Sequence, residues 1–336
     1  MKFNQYIWNL YKNSPEGKEM IKFFSEADGY TLFKKYCPHA VFHSEEEYNG
    51  WLDNVYCYGV SEYEHPASIS EARDLYSSLI TLGIMIEGEP WICRGDFKNA
   101  IRIIQPMSYV LSRFTSEYFF PYLFLCRISE LNKISEMFSI ELPKLPKRTD
   151  YKERCMYYWK LCEVFYRLRI ENNMSPAELC AFLYHYAPRF IGNEKIDAKS
   201  RPVQAWFIGG LLYKEDRLLL SKFWQSSPET KKGDILIHYE TSPVSAITCI
   251  EIAQTDGVID PLFYYYNYTY ISERIDIPKI TLKELQTDSY FSHHPLIRKN
   301  FRGVSGYPVS KECYSELLRM IQDKGFNVEK LPKSTF

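Results

Sequence analysis

The chain has 336 residues, 46% of them hydrophobic and 25% charged, enough for two or three ordinary domains with a sizeable core. Its formal net charge of −1 excludes a uniformly basic nucleic-acid coat, so any nucleic-acid site must be a local patch. Aromatic residues reach 16%, with 28 tyrosines, side chains whose flat face and polar tip serve cores, pockets and interfaces alike.

No apolar run reaches the roughly 18 residues needed to span a bilayer. The opening MKFNQYIWNLYKNSPEGKE lacks the uninterrupted apolar stretch of a secretion signal. Nine cysteines are scattered without a dense framework, which fits a reducing compartment. The expectation is a cytoplasmic protein with no membrane partner.

Phe3, Tyr6, Ile7, Leu10 and Tyr11 recur at helical spacing. Ser14-Pro15-Glu16-Gly17 then reads as an N-cap with proline at the first position of a second helix running through Phe24. Residues 26–68 are irregular and tyrosine-rich, with two short helices expected among them. A helix is expected from Ile69 to about Glu87, stopped by Gly88-Glu89-Pro90, and another from Lys98 to Phe114 with a break or kink at Gln105-Pro106. The apolar stretch from Tyr118 to Phe138 reads as one long buried helix. ELPKLPKRTDYKER, residues 141–154, reads as a linker between helical halves. Cys155, Tyr158, Cys162, Phe165 and Arg169 share a helix face. Ser175-Pro176-Ala177-Glu178 is a capping box. Residues 189–202 form a polar connector.

Beyond the connector the period changes. Ala205-Trp206-Phe207-Ile208 reads as a strand. Lys231-Lys232-Gly233-Asp234 reads as a turn, Ile235, Ile237 and Tyr239 alternate with Leu236 and His238, and Thr241-Ser242-Pro243 breaks the strand. Val244 to Ile252 alternates again, so the two runs form an antiparallel hairpin. A last helix is expected from Ser310 to Gln322. The division is a helical domain over 1–145, a helical segment and connector over 146–200, and a β domain over 201–325.

The order of pieces from Ala205 through Trp224, the Gly233-Asp234 strand start, Tyr239 to Pro243, Ile250 to Ala253 and Asp260-Pro261 resembles the EVE domains of the PUA-like superfamily, relatives of YTH domains. The tail HHPLIRKNFRGVSGYPVSKECYSELLRM is similar to the closing strand and final helix of that family. The resemblance spans about residues 201–322. It implies an α+β protein in which an α-helical N-terminal region precedes a PUA-like (EVE-type) β-barrel with a C-terminal helix. It further implies an aromatic pocket for a modified nucleobase, with Trp206 and Trp224 at the wall and Tyr239 and Ser242 at the rim. The short, Leu/Lys-rich loop before Trp224 and PLFYYYNYTYISER depart from the family pattern, which leaves the ligand open.

Catalytic signatures are missing: there is no Gly-x-Ser-x-Gly, phosphate loop, Gly-x-Gly-x-x-Gly or His-Glu-x-x-His. Cys37, His39, His43 and Cys57 lie close in sequence, but not in a zinc spacing. His293 and His294 are adjacent and point apart in a strand. Cys180 and His185 are set poorly for catalysis, and Asp256, Asp260 and Glu273 match no metal-nuclease set. No metal, cofactor or catalytic residue is therefore expected. Lys222, Lys231, Lys232, Arg298, Lys299 and Arg302 flank the aromatic elements, and Lys231, Lys232, Arg298 and Arg302 are the expected phosphate contacts. The expected function is a non-catalytic reader of a modified base in DNA or RNA, with the helical region docking a protein partner or target. The alternatives are a protein-interaction scaffold with a vestigial pocket, or an enzyme with its site in the helical region.

Overall fold

The computed structural model describes residues 3–36, 44–46, 48–50, 60, 63–82, 84–86, 89–92, 94–124, 127–191, 202–210, 223–262, 268–271 and 274–333. The protein is α+β. The chain divides into two compact units: Met1–Glu194 with Asp260–Tyr265, and Lys195–Ile259 with Tyr266–Phe336. No helix among the described residues is long and apolar enough to cross a membrane.

In the first unit, α1 (Gln5–Asn13) is capped by the Asn4 side chain, which accepts from the Tyr6 and Ile7 backbone N–H groups. Ser14 caps α2 (Pro15–Glu26), with Pro15 at its first position, where the missing N–H has no intrahelical acceptor anyway. Next come α3 (Gly29–Tyr36) and α4 (Ile69–Leu82). The helix expected to reach Glu87 stops five residues earlier, and Ile84–Ile86 (β1) pairs antiparallel with Glu89–Ile92 (β2). The isoleucines of β1 favour extended backbone. Helix α5 (Phe97–Phe114) runs unbroken with Pro106 inside it.

The long helix expected over 118–138 is only α6 (Ile128–Phe138). Residues 118–124 run without it because side chains satisfy their backbone. Ser108 Oγ accepts from Tyr122 N at 2.7 Å, Tyr158 donates to Phe120 O at 2.7 Å, and Tyr184 donates to Pro121 O at 2.5 Å. Helix α7 (Tyr151–Glu171) follows. The capping box at Ser175 and Glu178 forms as expected and opens α8 (Pro176–Ala181). A π-helical turn, Phe182–Tyr186, and the short α9 (Pro188–Ile191) complete the series.

The second unit is built on a five-stranded sheet. Strand β3 (Ala205–Gly210) lies parallel to β5 (Ile235–Glu240) and antiparallel to β9 (Ser305–Val309). Strand β6 (Ala246–Ile252) pairs antiparallel with both β5 and β8 (Ile275–Thr281), and the order is β8-β6-β5-β3-β9. The hairpin of β5 and β6 matches expectation. The edge strands β8 and β9 do not pair among the described residues, so the sheet is open and does not display a closed barrel. Strands β4 (Phe223–Gln225) and β7 (Tyr268–Tyr270) form a separate ribbon.

Alternation gives this sheet two buried faces. Ala205, Phe207, Ile235, Ile237 and Tyr239 face a core completed by α10 (Leu282–Thr287), α11 (Pro295–Arg298) and α12 (Lys311–Asp323), which supply Leu285, Leu296, Ile297, Leu317 and Ile321. Trp206, Ile208 and Leu236 point the other way, into a smaller cluster with Ala253 and Ile271, against which Trp224 packs.

Candidate functional site

The second face of the sheet carries the polar groups. On β5 it presents Leu236 and His238. His238 stands directly opposite Cys249 of β6, and Glu251 follows two residues after Cys249 on the same face. His238 and Cys249 are fully buried and Glu251 is 3% exposed. His238 Nδ1 lies 3.4 Å from Glu251 Oε2, while His238 Nε2 is buried with no hydrogen-bond partner among the described residues. Burial pushes the Cys249 thiol up to about 12, and the neighbouring Glu251 carboxylate pushes the same way.

A bulge shapes the rim. His238 opposes Cys249 but the next residue, Tyr239, opposes Ile247, so Thr248 is skipped. Bulges of this kind re-aim side chains. Here Thr248 donates to Glu240 Oε1 at 2.7 Å. Arg274 donates to the same oxygen at 3.2 Å and also pairs with Asp276.

Trp224 covers this face. Its ring centroid lies 4.5 Å from that of His238 at an interplanar angle of 58°. A Cβ on Gly210 would stand 2.4 Å from Trp224 Cζ2, so glycine there lets the indole lie on the strand. Trp224 remains partly exposed. Trp206 is different. It is 4% exposed, and its indole N–H donates to Asp234 Oδ2 at 2.8 Å. Asp234, fully buried, also accepts from Gln204 N at 3.1 Å and Lys231 N at 2.9 Å. Trp206 is thus a strut that ties β3 to the turn before β5.

The other expected site residues lie elsewhere. Tyr239 belongs to the opposite face, where it is 3% exposed and stacks on Phe301 at 3.9 Å and 8°. Burial raises its hydroxyl above the usual range. Three residues separate Tyr239 from Leu236, the partner of Trp206, and an odd step along a strand reverses the face. Ser242 is exposed in the turn after β5, next to a cis bond to Pro243.

The four basic residues do not form one strip. Lys231 and Lys232 precede β5, at the Ala205 end of β3, and their backbone N–H groups are held by Asp234 and Asp256. The Lys231 ammonium lies 3.5 Å from Asp256. Arg298 and Arg302 are exposed. They belong to the segment that packs Leu296, Ile297 and Phe301 into the first face and leads to Val304, which covers Gly209. From Ala205 to Gly209 the strand advances about 13 Å. Lys222, Glu273 and the Cys37, His39, His43 and Cys57 group lie outside the described residues.

Sequence reading missed His238, Cys249, Glu251 and Asp234. The available signal was a histidine and a glutamate at inward positions of largely apolar strands, brought together once the hairpin is folded in register.

Comparison with known proteins yields little. No family profile matches the sequence, and no curated protein matches it. Among solved structures, the NMR structure of Rpa0253 from Rhodopseudomonas palustris is similar at 14% identity over 36% of this chain and 94% of its own, with a TM-score of 0.30. The crystal structure of Atu2648 from Agrobacterium tumefaciens is similar at 16% identity over 39% of this chain and 99% of its own, with a TM-score of 0.31. Both likenesses are too weak to carry an argument about fold or function.

Proposed function

We propose that the second unit is a PUA-like, EVE-type reader of a modified nucleobase, without catalysis of its own, and that the helical unit docks the protein on a partner or target. The observation that carries this reading is Trp224: a partly exposed indole seated on a glycine beside buried polar groups. A planar heterocycle stacked on it would gain about 1–3 kcal/mol. Extrusion of a base from a duplex costs a few kcal/mol, and with Trp206 committed to Asp234 a single wall does not offset that. The preferred target is therefore a base already unpaired. The exposed Arg298 and Arg302 suit its backbone phosphates. The five cysteines among the described residues, all unpaired and buried, support a reducing compartment, the cytoplasm.

The test is Trp224→Ala, assayed both for binding to single-stranded oligonucleotides carrying modified bases and for thermal unfolding. A ligand wall predicts about 1–3 kcal/mol of lost affinity with the fold intact. A loss of roughly 3–5 kcal/mol of stability, the range for a core tryptophan, with no change in binding would overturn the reading and leave a protein-interaction scaffold in its place.

A further inference from the structure

The one cluster of metal-ligating side chains found among the described residues sits beneath Trp224. One ligand atom from each of His238, Cys249 and Glu251 lies within 4.8 Å of the other two, and all three residues are buried. The arrangement is dictated by the hairpin. His238 and Cys249 are opposed across β5 and β6, where facing Cβ atoms stand about 4.5–5.5 Å apart. Glu251 is two residues beyond Cys249, so it returns to the same face.

As it stands, this chemistry is costly. Among the described residues, a carboxylate that is 3% exposed has a single hydrogen-bond contact, long at 3.4 Å, with the imidazole Nδ1. Buried polar groups are rarely left so. A divalent cation resolves the set. One thiolate and one carboxylate balance its two charges, and a neutral imidazole completes three donors. The thiol proton leaves to solvent as the metal binds. The separation fits as well: nitrogen and oxygen ligands at 2.0–2.2 Å in a tetrahedron stand about 3.3–3.5 Å apart, against the 3.4 Å found between Nδ1 and Oε2.

We propose that His238, Cys249 and Glu251 bind one zinc ion, locking β5 to β6 under the Trp224 indole. The thiolate selects a borderline-soft cation over magnesium or calcium, which take oxygen ligands. Three protein ligands leave a fourth position for water or a ligand donor. Zinc binding needs no nucleic acid, so this inference stands or falls separately from the base-reader proposal.

The experiment uses the full chain, stripped with chelator and titrated with cobalt(II) and zinc(II). One equivalent of cobalt should give tetrahedral d–d bands and a thiolate-to-cobalt charge-transfer band, and one equivalent of zinc should displace it and raise the thermal midpoint. Cys249→Ser should abolish the charge-transfer band and weaken zinc binding at least tenfold. Cys313→Ser, which alters a thiol in the core on the other face of the sheet, should change neither. X-ray absorption of the wild-type zinc protein should find one sulfur and otherwise nitrogen or oxygen neighbours, a result independent of whether any variant folds. A wild-type protein without the charge-transfer band, a zinc shell without sulfur, or a band that persists in folded Cys249→Ser would each overturn the proposal.

Discussion

Replacing Trp206 by phenylalanine isolates the bond between its indole N–H and Asp234. The carboxylate is fully buried and also accepts two backbone N–H groups, so the indole donor is one of the supports that make its burial tolerable. A hydrogen bond to a charged group contributes about 1.5–3 kcal/mol. The smaller ring leaves space worth roughly another 1 kcal/mol. Together the loss is about 2–4 kcal/mol, or a fall of roughly 10 °C in the unfolding midpoint for a unit of this size. Urea and thermal unfolding followed by circular dichroism measure it. Asp234→Asn and the double mutant complete a cycle, and the coupling energy between the two positions should exceed about 1 kcal/mol. Ligand binding, measured at a temperature where the variant is folded, should be unchanged. A variant that unfolds within about 0.5 kcal/mol of the wild type but loses ligand binding would refute the strut and return Trp206 to the pocket wall.

Two further outcomes test the rest of the frame. The Lys324 ammonium, together with the Thr281 backbone N–H and hydroxyl, lowers Glu284 from 4.5 to about 2, so its contribution is present above about pH 4.5 and lost as the pH falls toward 2. The Glu284 side chain is 41% exposed. Glu284→Gln should therefore be less stable than the wild type by only about 1 kcal/mol at pH 7, with the gap closing in acid-unfolding curves by pH 2. Arg154, 6% exposed, donates from Nε to Pro261 O at 2.9 Å. Arg154→Met should destabilise the first unit by about 1–3 kcal/mol, seen as a lower midpoint for that unit in calorimetry; an unchanged midpoint would remove this bond from the account.

Local signals were the legible ones. Ser14 and Ser175 each cap the helix expected to follow them, because a cap is decided within four residues. The β5–β6 hairpin was equally readable. Tyr118 to Phe124 was misread as helix because an apolar run without clear period leaves the choice to tertiary partners, here the hydroxyls of Ser108, Tyr158 and Tyr184. The site failed at one point. Whether Tyr239 shares a face with Trp206 depends on the parallel register of β3 and β5, which pairs Trp206 with Leu236 across a long connection that no local pattern fixes. The same gap hid His238, Cys249 and Glu251, which become neighbours only across the hairpin.

The assignment of Asp260–Tyr265 to the first unit bears on how the protein is made. Arg154 and its acceptor Pro261 are 107 residues apart. At synthesis rates of about 5–20 residues per second, the ribosome delivers that carbonyl roughly 5–20 s after the arginine. Through that interval Arg154 Nε lacks its Pro261 acceptor while the bond to Arg148 O is already within reach, and the set closes only after the β5–β6 hairpin has been synthesised. A fragment ended near Glu194 lacks that acceptor altogether.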